Sequence, residues 1–130
     1  MREIKFRYIF QHTTDKDFLY GYYTLDYIEK YQLKNHEKFS DFYSEDGYEL
    51  INRLKYTGIR DKNGAEIYKG DILRAEIVCI TVPDPIRLSV VGFENGRFVN
   101  YFDYPASKSY NDIIMDVHEV IGNIYEDGKL

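Results

Sequence analysis

Hydrophobic and polar positions alternate at once in this chain. Ile4, Phe6, Tyr8 and Phe10 fall on one face of an extended segment, with Lys5 and Arg7 on the other. That period of two predicts a half-buried β-strand. The polar run from Gln11 to Asp17 reads as a loop, in which Thr and Asp supply turn bonds. A second strand follows over Phe18–Thr24, where Gly21 allows a bulge or a close backbone approach. Leu25, Ile28 and Tyr31 then recur every three residues, which predicts a short helix ending near Leu33. Asn35 to Gly47 is polar with scattered aromatics and reads as a connecting loop or an irregular helix.

From Tyr56 the punctuation changes to short apolar runs separated by turn residues. Ile72 to Val82 is rich in β-branched residues and stops at Pro83 and Pro85, which cannot donate to a ladder. Arg87–Phe93 and Arg97–Phe102 flank Asn95-Gly96, the strongest short signal for a two-residue hairpin. A loop spans Asp103 to Asn111, Ile113–Val117 suits a helical turn, and Glu119–Tyr125 reads as a closing strand. Phe93, Phe98 and Phe102 are expected to face the core, leaving Arg97 and Tyr101 outside. The fold class is therefore mainly β. A small SH3-like barrel over 56–130 follows a strand-rich N-terminal extension over 1–55, with one or two short helices, in a single unit of 1–130.

Composition alters this picture little. A chain of 130 residues can bury a core without metal or disulfide. The 14 Tyr and 8 Phe, with no Trp, support a β-rich fold first and an aromatic binding face second. Cys79 sits in an apolar run and reads as a buried thiol. A net charge of −5 argues against coating DNA by phosphate neutralisation alone. The start, MREIKFRYIF, lacks the apolar core of a signal peptide, and no apolar run is long enough to span a bilayer. The expected setting is cytoplasmic, away from membranes.

The densest turn chemistry lies in GIRDKNGAEIYKGDIL, Gly58 to Leu73. If Gly64 took the glycine position of a calcium loop, Asp61 and Asn63 would match the third and fifth positions. Ile59 and Gly70 would then stand where the leading Asp and the bidentate Glu belong, so the spacing fails. A P-loop needs Gly-Lys-Ser/Thr entering a helix, whereas Gly70 is followed by Asp71 and a strand. The better reading is structural. Asn63 and Gly64 make one tight turn, Glu66-Ile67-Tyr68 is a short paired segment, and Lys69-Gly70-Asp71 turns into the next strand.

Other constellations are weak. His12, His36 and His118 show no paired spacing and read as surface or incidental residues. No Gly-x-Ser-x-Gly occurs. Asp112, Asp116 and Glu119 fall near one helical face, which suits a solvated acidic surface better than a catalytic pair. Arg97, Phe98, Tyr101 and Tyr104 place a cation beside aromatics, the arrangement that meets single-stranded nucleic acid. Core and hairpin packing explains most of that set. No catalytic residue, cofactor or metal is predicted.

Three blocks, REIKFR, YTGIRDKNGAEIYKGDIL and EVIGNIYED, together resemble the YopX family of phage and prophage proteins. The central block is the most specific, through Tyr56-Thr57-Gly58, Asp61-Lys62-Asn63-Gly64, Ile67-Tyr68 and Gly70-Asp71-Ile72. Many relatives continue the first strand with a small residue and a Trp, where this chain has Tyr8-Ile9. The resemblance implies a phage or prophage origin and a bacterial host, and no reaction. The expected role is a non-catalytic accessory module that binds a host or phage protein and can form a homo-oligomer. The alternative is a single-stranded nucleic-acid-binding accessory. The expected interaction surface is Arg97, Tyr101 and Tyr104; barrel edges and tyrosine-rich faces suit a protein partner, and the Arg97 and Tyr101 side a nucleic acid.

Overall fold

A strand that carries aromatics at every second position needs something to lay across them, and the first unit of this chain supplies it from a segment that looks like a loop. The computed structural model describes residues 3–35, 38–76, 86–102, 110–111, 113 and 118–127. The chain divides into two units, Met1–Tyr56 and Thr57–Leu130.

In the first unit β1 (Lys5–His12) pairs antiparallel with β2 (Phe18–Thr24) and with the first part of β3 (Tyr48–Arg60). Its face of Phe6, Tyr8 and Phe10 packs with Leu19, Tyr23, Tyr48 and Leu50. The helix α1 (Leu25–Asn35) starts where the Thr24 hydroxyl accepts the Tyr27 N–H at 3.2 Å, an N-cap bond. It buries Ile28 alone and leaves Asp26 and Lys30 paired at 3.0 Å in solvent. The opposite face of β1 departs from the expected solvated one, because Arg7 and Ile9 are both buried. Arg7 lies over the Tyr22 ring, which lets an apolar surface hold its guanidinium.

The stretch expected to be a loop or irregular helix contains two 3-10 turns, Phe39–Asp41 and Ser44–Asp46, ended by Gly47 at φ 85°. Phe39 is fully buried, with Tyr8, Tyr23 and Tyr31 edge-on at 5.0, 4.8 and 5.4 Å. Such edge-to-face contacts add to burial. Burial and the neighbouring Tyr43 hydroxyl push the Tyr23 phenol well above its usual pKa. The strand at Tyr48 was not expected. Ile51 and Asn52 hide its alternation, and Ile51 is the extra residue of a bulge, since Leu50 pairs with Phe10 and Asn52 with Ile9.

The strand β3 continues past Tyr56 and neighbours β4 (Glu66–Tyr68). In the second unit a five-stranded sheet has the order β8-β7-β6-β5-β9. Its strands are β5 (Asp71–Glu76), β6 (Ile86–Glu94), β7 (Arg97–Phe102), β8 (Tyr110–Asn111) and β9 (His118–Asn123). Ile67, Leu73 and Val91 form its core with Ile59, Phe98, Ile113 and Val120 around them. Asn95 and Gly96 both take positive φ, 50° and 80°, and Glu94 faces Arg97 across a two-residue turn.

Several expectations change here. The chain is mainly β, but the SH3-like barrel does not close among the described residues. The strands β8 and β9 are opposite ends of the sheet, and a turn rather than a strand lies along the outer side of β9. Phe93 is 49% exposed because it stands at the hairpin end beyond Val91, with Phe98 edge-on at 5.0 Å. Of the two readings open for His118, surface or incidental, the first does not hold, because it is buried. The closing strand stops at Asn123, whose side-chain oxygen accepts the N–H groups of Tyr125 and Glu126 and starts α2 (Ile124–Asp127). Cys79, Pro83, Pro85 and most of Ile113–Val117 lie outside the described residues. Among the described residues no helix is long and apolar enough to cross a membrane.

Replacing Phe39 by Ala leaves an aromatic-lined cavity and is expected to lower stability by about 3 to 5 kcal/mol. Urea unfolding followed by tyrosine fluorescence checks this. A loss near zero would mean that Phe39 does not anchor the first core.

Candidate functional site

Asp61 is the centre of the Gly58–Leu73 stretch. It is 5% exposed. Its Oδ1 accepts the N–H groups of Asn63 at 2.8 Å and Ala65 at 2.9 Å, which closes the turn on itself. Its Oδ2 accepts the Val120 N–H at 2.9 Å, from β9. Two more bonds run the same way. Lys62 N–H donates to the His118 carbonyl at 3.0 Å, and the Asn63 side-chain amide donates to Glu119 Oε2 at 2.9 Å. The turn is therefore fastened along β9.

Burial alone would raise the Asp61 carboxyl. The N–H groups of Val120, Ala65 and Asn63, helped by the Lys62 charge, outweigh it and hold the group below the usual carboxylate range.

The rest of the block works by the same means. Gly58 sits inside β3 at φ 83°, and the buried Thr57 hydroxyl donates to the Ile67 carbonyl at 2.8 Å, tying β3 to β4. Asp71 is completely buried, and its Oδ2 accepts the Tyr68 N–H at 2.8 Å across the Lys69-Gly70 turn. Gly70, at φ 88°, donates its N–H to Val91 and accepts from Ile124 N–H, at 2.9 and 3.0 Å. A Cβ there would stand 2.7 Å from the Tyr125 ring, so both the dihedral and the space require glycine. The turns expected at Asn63, Gly64, Gly70 and Asp71 are present. What spacing did not reveal is that their carboxylates are acceptors for backbone amides, one of them distant.

Of the residues expected to form an interaction surface, Arg97 and Tyr101 lie among the described ones. Arg97 is exposed at the start of β7. Tyr101 is half-buried, with its ring lying over Gly92, and its hydroxyl donates to Glu94 Oε2. The Gly92 backbone thus lies against one side of that ring. Tyr104 lies outside the described residues, as do His36, Asp112 and Asp116. His12 uses Nδ1 to accept the N–H groups of Thr14 and Asp15, so it organises its own turn. Among the described residues no group of three or more His, Cys, Asp and Glu side chains could hold a metal ion.

The profile of a known family, described as YopX protein, matches residues 9–130. The chain belongs to the YopX family. The central and closing blocks of this YopX chain fall inside the matched span, while REIKFR precedes it. No curated protein matches the chain. Among solved structures, the crystal structure of protein EF1440 from Enterococcus faecalis is similar over 95% of this chain and 94% of that one. The two are 19% identical, with a TM-score of 0.45.

Because the folded Asp61 pKa lies below its unfolded value, its stabilising effect is full above the ordinary carboxylate range. It fades as the pH falls through the folded value. Asp61→Ala takes the acceptor from three part-buried N–H donors and is expected to cost about 2 kcal/mol at neutral pH. Denaturant unfolding of both proteins at neutral and acid pH checks this, with the gap narrowing in acid. An equal gap at both would show that the charge is not what holds the turn.

Proposed function

We propose that this YopX-family chain is a non-catalytic accessory module that works by binding a host or phage protein. On this reading it is a phage or prophage product acting in the cytoplasm of a bacterial host. The observation that carries the reading is the state of the two central carboxylates. Asp61 and Asp71 are the residues in the motif block best suited to acid–base or metal chemistry, and both are buried and engaged by backbone N–H groups. A general base must reach the proton it removes. Neither of these is exposed to a substrate.

Support for a protein partner comes from exposed aromatic rings on each of the two units. Tyr22, Tyr27 and Phe93 are each about half exposed, at 51, 48 and 49%. Tyr and Phe are enriched where protein surfaces meet, since one large ring supplies area at small entropic cost. A second copy of the chain is one such partner, and a clean monomer by light scattering at high concentration would remove it. The nucleic-acid alternative has less behind it, because Glu94 stands beside Tyr101 and faces Arg97 across the hairpin.

The test is to tag the protein in its prophage-bearing host, induce the prophage, and recover complexes with and without nuclease. Partners that survive nuclease and rebind the purified protein are expected. If every partner vanishes with nuclease, the protein-binding reading fails. Single-strand affinity that falls steeply with salt, and is lost in Arg97→Glu and Tyr101→Ala, would then establish the alternative.

A further inference from the structure

The turn between β1 and β2 is organised by a histidine that does the work an Asn or Asp side chain ordinarily does. His12 Nδ1 accepts the N–H groups of Thr14 at 3.2 Å and Asp15 at 3.1 Å, which puts the proton of the neutral ring on Nε2. A side-chain oxygen that takes amides two or three residues ahead makes the same local turn. An imidazole differs in that it changes charge between about pH 8 and pH 5. The Asp15 carboxylate stands 3.8 Å from the same nitrogen, on an exposed side chain. Lys16 is held at φ 63°, a conformation that residues with side chains occupy at a cost.

The remainder of the turn is fastened without the ring. Thr13 donates its N–H and its hydroxyl to the Gly47 carbonyl, at 3.0 and 3.2 Å. His12 donates its backbone N–H to the Asp17 carbonyl at 2.8 Å, and its own carbonyl accepts the Lys16 N–H at 3.1 Å. Tyr48 of β3 meets the ring edge-on at 5.1 Å, and a Cβ on Gly47 would stand 2.7 Å from Nε2. The charged and titratable groups around the ring are Asp15, Lys16 and Asp17 on the turn and Tyr48 on β3. Glu45 and Asp46 belong to the 3-10 turn that leads into Gly47.

We propose that this turn is a pH-sensitive switch, in which protonation of His12 selects between two partners for one nitrogen. In the neutral ring the Nδ1 lone pair holds the Thr14 and Asp15 N–H groups. A proton from solvent occupies that lone pair, so both N–H groups lose their acceptor and the new N–H donates to the Asp15 carboxylate. The reason to keep Lys16 at positive φ goes with them. The bonds of the turn are therefore complete above the range in which the ring gains its charge and are lost as the pH falls through it. The backbone bonds of Thr13 and His12 stay, so β1 and β2 keep their register. The change is confined to the exposed residues 13–17 and does not depend on which partner the protein binds.

Nuclear magnetic resonance of the full chain from about pH 8 to about pH 5 tests this. The imidazole nitrogens of His12 are followed beside the exchange of the Thr14 and Asp15 amides, each compared with an open chain at the same pH. The expected result is Nδ1 without a proton at the alkaline end, and amides that lose protection several-fold as the ring gains charge. In His12→Asn, whose side-chain oxygen accepts the same amides and does not titrate, the protection is expected to stay level. A proton on Nδ1 at the alkaline end, or amides that stay unchanged while the ring becomes charged, would overturn the proposal. Equal loss in His12→Asn would overturn it too, since a carboxylate would then control the turn.

Discussion

One carboxylate, Asp61, accepts three backbone N–H groups, and the order of the second unit depends on it. Two of those donors close the turn that contains it, and the third belongs to β9. A turn ordered by its own side chain is common, as in any Asx-turn. A turn whose side chain also takes a donor from the outer side of a distant strand is a fastener. Charge makes it strong, since hydrogen bonds to an ionised acceptor exceed those to a neutral one. It also lays a turn along the outer side of an edge strand that would otherwise be open to further pairing.

The first unit solves a different problem with different residues. Its sheet offers a row of aromatics, and the chain covers them with Phe39 from a 3-10 turn and Ile28 from α1. The many tyrosines suit this arrangement, because rings can meet edge-on inside while hydroxyls pair at the margin. Tyr23 and Tyr43 do so at 3.2 Å. In the second unit the carboxylates of Asp61 and Asp71 both accept backbone N–H groups.

Local chemistry was the legible part. The strand over Phe18–Thr24, the paired segment Glu66–Tyr68 and the hairpin at Asn95-Gly96 all follow from alternation and turn residues within a few positions. Asn123 followed three residues later by Glu126 is the spacing of a helix start, a signal that the apolar run before it obscured. Other features are set by contacts that no window contains. Phe39 stands in a polar stretch, and only the sheet across from it makes it a core residue. Arg7 and His118 are buried by tertiary context that overrides their polarity. Asp61 was legible as a turn residue, but its bond to Val120 was not.

That last bond spans 59 positions in sequence, and this separation matters before the fold exists. During synthesis β5 emerges long before β9, its neighbour on one side, so one row of its amides and carbonyls waits for β9. Closing so long a loop also carries an entropic cost that short hairpins avoid. The nascent chain thus passes through a stage in which the Asp61 turn is formed but has nothing to grip, and the half-built sheet is open to pairing with another chain. Emergence of β9, more than any local propensity, sets the moment at which this sheet can complete itself.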